Sequence, residues 1–224
     1  IGKRCYLHNL GPFDRRDIKH LGDRFAGRID RQTLAREPDA CVIVVDCSTI
    51  DRIGALAEDL TGLPFLVIDH HSSGVEFGNY RFVEPSSPSS SLLVQLLIEA
   101  MGCTVTTEEA EYIFFAFCTD TGFFRHLEAM SGEAFRLVSR LVDAGASPKR
   151  LYAQINSGAS LVGRQHLGRL LQRSEAHAQG KLLITWEFQA ETEAVGKINR
   201  ESDLLYQMLT GVEGRIEPAA VTLR

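Results

Sequence analysis

The chain holds no apolar run near the roughly 20 residues that a membrane-spanning helix needs, which excludes an integral helical membrane protein of the usual kind. Cysteine is sparse and badly spaced for cross-links or zinc. The five stand at Cys5, Cys41, Cys47, Cys103 and Cys118 with no Cys-x-x-Cys pair, so neither a disulfide framework nor a zinc knuckle is expected. A reduced, cytoplasmic setting fits this usage. Positive charge is also short, with 24 Lys and Arg against 29 Asp and Glu for a net charge of -5. Binding along a nucleic-acid backbone relies on many cations displacing counterions, so a coat for long nucleic acid is excluded and any nucleic-acid substrate should be short. The opening IGKRCYLHNL lacks the shape of a signal peptide.

What is present reads as an α/β chain. With 224 residues and 44% hydrophobic composition, it can bury one substantial core and part of a second. Cys41 to Asp46 (CVIVVD) and Phe65 to Asp69 (FLVID) are apolar runs ending in a carboxylate, which predicts parallel strands buried on both faces. Residues Lys3 to Asn9 alternate loosely and predict another strand. Ile50 to Leu60 carries apolar residues at helical spacing and stops before Gly62 and Pro64. The expected unit is strand, helix, strand. A serine-rich loop with a short extended piece at Tyr80 to Val83 comes next, then helices from about Ser90, from Thr107 with a threonine cap, and over 132–144, 148–155 and 161–173. The composition of Ser174 to Gly180 predicts a linker. Beyond it come a strand (KLLITWEF, with Trp186 and Phe188 as core), a short helix (SDLLYQML) and a final strand. The expected organisation is one domain over 1–173, a linker over 174–180 and part of a second domain over 181–224.

Three places carry candidate chemistry: Asp46, the run Asp69-His70-His71, and Asp120 within TDTGFFRH. Ligands of an open parallel sheet gather beyond the carboxyl ends of its strands, where Asp46 and Asp69 fall. Carboxylates with one or two imidazoles suit a divalent ion of the manganese type. Taken singly, Asp46 and Asp120 also read as turn or cap residues. Two histidines directly after a strand-end aspartate are harder to explain as structure alone. Arg164, Arg169 and Arg173 recur along one helix and read as a solvated face.

The run VIDHH, Val67 to His71, resembles the DHH phosphoesterase family, named for that tripeptide. VVD at Val44 to Asp46 resembles the family's second motif, SPSSS with its following helix the serine-bearing segment after the third, and TDTGFFRH the fourth. The branch it most resembles is the bacterial oligoribonuclease and phosphoadenosine-phosphate phosphatase group. The resemblance implies a parallel-sheet DHH domain with the start of a smaller α/β C-terminal domain. It implies a cofactor of Mn2+ or Mg2+, two ions in the complete protein, and hydrolysis of short oligonucleotides or small nucleoside bisphosphates by a metal-activated water. Carried onto this chain, Asp46 would bridge the ions, His70 would bind one, and Asp120 would complete the ligands of the other. His71 would face the phosphate, Asp69 would orient a histidine, and Arg125 or His126 would steady a phosphate or leaving group. For those last two a surface contact is the competing reading.

The family's first motif, a histidine with a spaced aspartate pair, has no counterpart. His8 and Asp14 in HNLGPFD have the wrong spacing. The glycine-rich C-terminal segment is also missing, and truncation at both ends is the expected cause. A chain with only Asp46, His70 and Asp120 should bind metal weakly, so this polypeptide is expected to show little activity. A homodimer is compatible with the branch, although no sequence feature establishes one. The rival readings are a manganese pyrophosphatase, a processive single-strand exonuclease and a non-catalytic nucleotide binder.

Overall fold

The computed structural model describes residues 3–25, 34, 36–129, 131–156, 158–196, 202–210 and 219–223. The chain divides into two compact units, one made of Ile1–Phe13 with Asp17–Ile155, the other of Asp14–Arg16 with Asn156–Arg224.

The first unit is built on a parallel sheet of β1 (Val42–Val45), β2 (Phe65–Asp69) and β3 (Tyr80–Val83), in that order. Both pairings are parallel, with Val45 opposite Ile68 and Asp69 opposite Val83. The short extended piece after the second strand is thus the third strand of the sheet. Helices α2 (Ser90–Ala100), α3 (Thr107–Asp120), α4 (Gly132–Asp143) and α5 (Pro148–Asn156) come after it. Their core is Leu92, Phe114, Phe117, Leu137 and Leu141, each 3% exposed or less. Side chains four apart on α3 fall on one face, so Ala110, Phe114 and Cys118 enter this core together with Ile113 and Phe117.

Four expectations need correction. Among the described residues Lys3 to Asn9 form no strand, and only His8 makes an isolated bridge; loose alternation without a paired neighbour does not make a ladder. The helix expected over Ile50 to Leu60 is a 3-10 turn, Ile50–Ile53, followed by the four-residue α1 (Leu56–Asp59). Gly54 at φ +55° breaks it, taking a left-handed conformation that glycine adopts freely. Strand β1 is covered on one face only, with Val44 buried but Ile43 and Val45 56% and 46% exposed. The cap of α3 is Thr106, one residue earlier than expected. Its hydroxyl accepts from Glu109 N–H while the Glu109 carboxylate accepts from Thr106 N–H, a complete capping box.

The second unit contains α6 (Leu161–Gln172), β4 (Glu175–His177), β5 (Leu182–Trp186), α7 (Gln189–Val195), α8 (Ser202–Thr210) and β6 (Ala219–Leu223). β5 is central, antiparallel to β4 and parallel to β6. Leu167, Leu170, Leu183, Leu205 and Leu209 make its core. The stretch expected to be a linker, Ser174 to Gly180, therefore carries β4 and a 3-10 turn, and the division between units falls near residue 156, so α6 belongs to the second unit. Polar composition marked an exposed edge strand rather than a spacer. Arg173 is not a solvated cation, for its guanidinium makes two bonds of 2.6 and 2.7 Å to the Glu191 carboxylate and stands 5.3 Å from the ring centre of Phe188. Phe188 is 59% exposed and so is not core. No helix among the described residues is long and apolar enough to cross a membrane.

Candidate metal centre

Level strand ends bring the candidate residues together. The ladder between β1 and β2 is continued by Asp46 N–H donating to Ile68 C=O at 2.9 Å, and Asp46 then turns the chain at φ +61°. Aspartate tolerates that left-handed conformation better than most residues. Its carboxylate is left in the open beyond the sheet, with 48% of the side chain exposed.

Asp69 ends β2 only 3% exposed. Its Oδ1 accepts from His70 N–H at 2.8 Å, from His71 N–H at 3.3 Å and from His71 Nδ1 at 2.7 Å. Burial by itself would raise the carboxyl, but these bonds, that of the His71 ring foremost, outweigh it and hold the group below the usual aspartate value. Asp69 is thus a fixed anion that sets the orientation of its neighbour.

The two imidazoles are fixed in different ways. His70 Nδ1 lies 3.2 Å from the Ser87 carbonyl, which can only accept, so Nδ1 is the donor and Nε2 is the ring nitrogen turned to the site. That Nε2 faces Asp46 Oδ1 at 3.5 Å. With Nδ1 committed to the Ser87 carbonyl, a neutral ring would offer Nε2, beside the Asp46 carboxylate, to a shared cation. Ligand atoms roughly 2.1 Å from one ion stand about 3 to 3.5 Å apart, so the pair fits a single divalent ion. His71 belongs to the same group, whose ligand atoms all lie within 4.8 Å of one another. Its nitrogen facing Asp46, Nδ1 at 4.0 Å, is already the donor to Asp69. Nε2 is the His71 ring nitrogen not used in the bond to Asp69.

Asp120 ends α3 and lies outside that 4.8 Å group. It is electrostatically close to it all the same: its carboxyl is pushed up to about 6, first by desolvation and then by the Asp46 charge, with His70 and His71 pulling the other way. Arg125 and His126 sit on the turn just beyond. Gly122, Phe123 and Phe124 all have positive φ, a run that costs energy at the two phenylalanines. Their rings offset this by packing with Phe114, Phe117, Phe135 and Tyr152. Arg125 Nε donates to Gly122 C=O at 2.9 Å and remains exposed, as does His126. The structure gathers Asp46, Asp69, His70 and His71 into one hydrogen-bonded set, holds Asp120 within electrostatic reach of it, and places no part of Arg125 or His126 in the set.

Ser90 was not foreseen. It is 2% exposed, and its hydroxyl lies 2.9 Å from Asp46 Oδ1 and 3.5 Å from Asp69 Oδ1. It stands at the start of α2, capped by Ser89, whose hydroxyl accepts from Leu92 N–H. The clue was the serine cluster before an apolar helix, of which a cap needs only one member.

No protein-family model matches the chain. Among curated proteins it is 26% identical over 183 residues to the bifunctional oligoribonuclease and PAP phosphatase NrnA of Thermus thermophilus, covering 80% of this chain and 52% of that protein. It is 28% identical over 114 residues to an uncharacterised MG371 homologue of Mycoplasma pneumoniae, covering 51% of this chain and 34% of that protein. The chain thus spans about half, or less, of the length of these relatives. Among solved structures it superposes on an exopolyphosphatase-related protein from Bacteroides fragilis with a TM-score of 0.69 at 20% identity, covering 81% of this chain and 55% of the other. The resemblance to the DHH phosphoesterases holds in sequence and in fold. A Methanococcus jannaschii protein assigned to the family II inorganic pyrophosphatases aligns over 92% of this chain and 70% of the other, with a TM-score of 0.51 at 17% identity. The fold of this chain, a parallel sheet flanked by helices with a smaller second sheet, is shared with these solved structures and follows from its own topology.

Proposed function

We propose that this chain belongs to a metal-dependent phosphoesterase that hydrolyses short oligonucleotides or small nucleoside bisphosphates. The observation that carries the reading is His70 Nε2 facing Asp46 Oδ1 at 3.5 Å, within one group with His71, beyond the ends of two parallel strands. Asp46 and His70 would hold a divalent ion, Mn2+ or Mg2+. Asp120 would join as ligand to a second; the upward push on its carboxyl comes in part from Asp46, a repulsion that cations between them would relieve. When bound, such ions supply a Lewis acid for the phosphoryl oxygens and lower the pKa of water.

The chain's own groups do the rest. Asp69 holds His71 by Nδ1, and His71 protonated on both ring nitrogens would donate from Nε2 to a phosphoryl oxygen, the Asp69 carboxylate orienting the ring as carboxylates do around metal sites. Ser90 donates to Asp46 and keeps the carboxylate from rotating out of line. Arg125 and His126, exposed on the turn after Asp120, would neutralise charge on the leaving side. The net charge of -5 supports substrates of few residues. A nucleotide substrate is preferred over pyrophosphate because the oligoribonuclease is matched in sequence, whereas the pyrophosphatase is matched in fold alone.

The test has two readouts. Manganese titration, followed by the quenching of water proton relaxation or by calorimetry, should show binding that Asp46→Asn and His70→Ala abolish. Mononucleotide release from a five-residue RNA, with pyrophosphate as a parallel substrate, should depend on manganese and be slow for this span of sequence. Wild-type binding no tighter than that of Asp46→Asn, or release unaffected by a chelator, would overturn the proposal.

A further inference from the structure

A cleft opens on the sheet face that carries Val67, Asp69, Arg81 and Val83, alternate residues of β2 and β3. Cys47, Ser48 and the segment from His71 to Phe77 wall it in. Its volume is about 100 Å3, below the 300 Å3 or more of sites that take whole drug-sized ligands, yet ample for several water-sized groups. Such a space suits a phosphoryl group and excludes a nucleobase. The wall depends on Gly74, at φ +138°: a Cβ there would lie 2.1 Å from the Ser48 carbonyl oxygen, so only glycine lets the loop close against the end of β1.

Arg81 is the cation of a lining that also holds the Asp69 carboxylate, bonded to His71, and the Glu76 carboxylate. His71 stands in the wall with Nδ1 engaged by Asp69. Arg81 is opposite Val67, two residues and roughly 6.6 Å of strand back from the level of Asp69. Its guanidinium is paired with Glu76 at 2.6 Å, but the Glu76 side chain is 81% exposed, and an exposed ion pair holds its partner weakly. A phosphate offers the same guanidinium two parallel charge-assisted bonds. Ser72 and Ser73 add hydroxyls along the same wall.

We propose that this cleft is a second phosphate subsite, in which Arg81 binds the phosphate next to the scissile one and Glu76 competes for it. The assignment rests on the phosphoesterase reading and deepens it: it selects substrates with two phosphates over those with one. A nucleoside 3′,5′-bisphosphate or a dinucleotide fits, whereas a nucleoside monophosphate leaves Arg81 with Glu76.

Calorimetry with adenosine 3′,5′-bisphosphate and adenosine 5′-monophosphate, with and without manganese, tests this on wild type, Arg81→Gln and Glu76→Gln. Arg81→Gln should weaken the bisphosphate about tenfold, the scale of one charge-assisted contact, and leave the monophosphate within about twofold. Glu76→Gln should tighten the bisphosphate by a few-fold, a gain that no misfolded variant would give. Equal effects on both ligands, no effect of either variant, or no bisphosphate binding by wild type overturns the subsite. Manganese binding at Asp46 and His70 is measured separately, so its absence alongside an Arg81-dependent preference sinks the phosphoesterase reading and spares the subsite, while the converse does the opposite.

Discussion

At the scale of single residues, Asp69 matters more through what it holds than through its own chemistry. Three donors from the two histidines converge, with the Ser90 hydroxyl farther off, on one oxygen of a buried carboxylate. Asp69→Asn keeps an acceptor but loses the charge that fixes the His71 ring, and turnover is expected to fall by about 10- to 100-fold, the scale of losing an orienting partner beside a metal site, with the urea midpoint as control. Asp120 makes a prediction of opposite sign for stability. Its folded-state value, about 6, lies above the ordinary 3.8, so the native state binds more protons than the unfolded one between those values and stability falls as pH rises through that window. Asp120→Asn should therefore stabilise the metal-free chain at pH 7 by about 1 kcal/mol, the full shift being discounted for an exposed residue. The difference should vanish below about pH 4, and urea unfolding of both proteins from pH 4 to 7 checks it.

At the scale of elements, the site depends on how strands end and helices begin. β1 and β2 stop at the same level because their register is Val45 to Ile68, and that register alone makes Asp46 and Asp69 neighbours. A residue of slip would turn each carboxylate to the other face. α3 carries Asp120 at its last position, and its hold on the core passes through Phe117, fully buried and ringed by Phe114 and Phe124. Phe117→Ala is expected to cost about 3 to 5 kcal/mol. Thr106→Ala, which removes half of the capping box at the other end of α3, should cost about 1 kcal/mol, both read from denaturant midpoints. A Phe117→Ala cost below that of Thr106→Ala would show that the aromatic cluster is not what anchors the helix.

At the scale of the whole molecule, acidic balance and the proposed divalent centre pull the substrate preference in one direction. With 29 acidic and 24 basic side chains, the chain should leave long single strands almost untouched while processing short ones, and raising salt should change the ratio little, since few counterions are displaced. Competition between a five-residue and a fifty-residue RNA at two salt concentrations measures this.

The sequence by itself determined the parallel strands with their terminal carboxylates, the helices over 90–173 to within a residue or two, and the DHH run, because apolar periodicity and breaker residues act locally and survive without knowledge of the fold. Tertiary structure decided the rest. That Tyr80 to Val83 completes the sheet, that 175–177 is an edge strand, that Ser90 bonds the site's carboxylates, and that Asp120 stands apart from the tight group of Asp46, His70 and His71 all depend on partners distant in the chain. Local pattern states what a segment can form; which neighbour satisfies its hydrogen bonds and charges is settled only when distant segments are packed together.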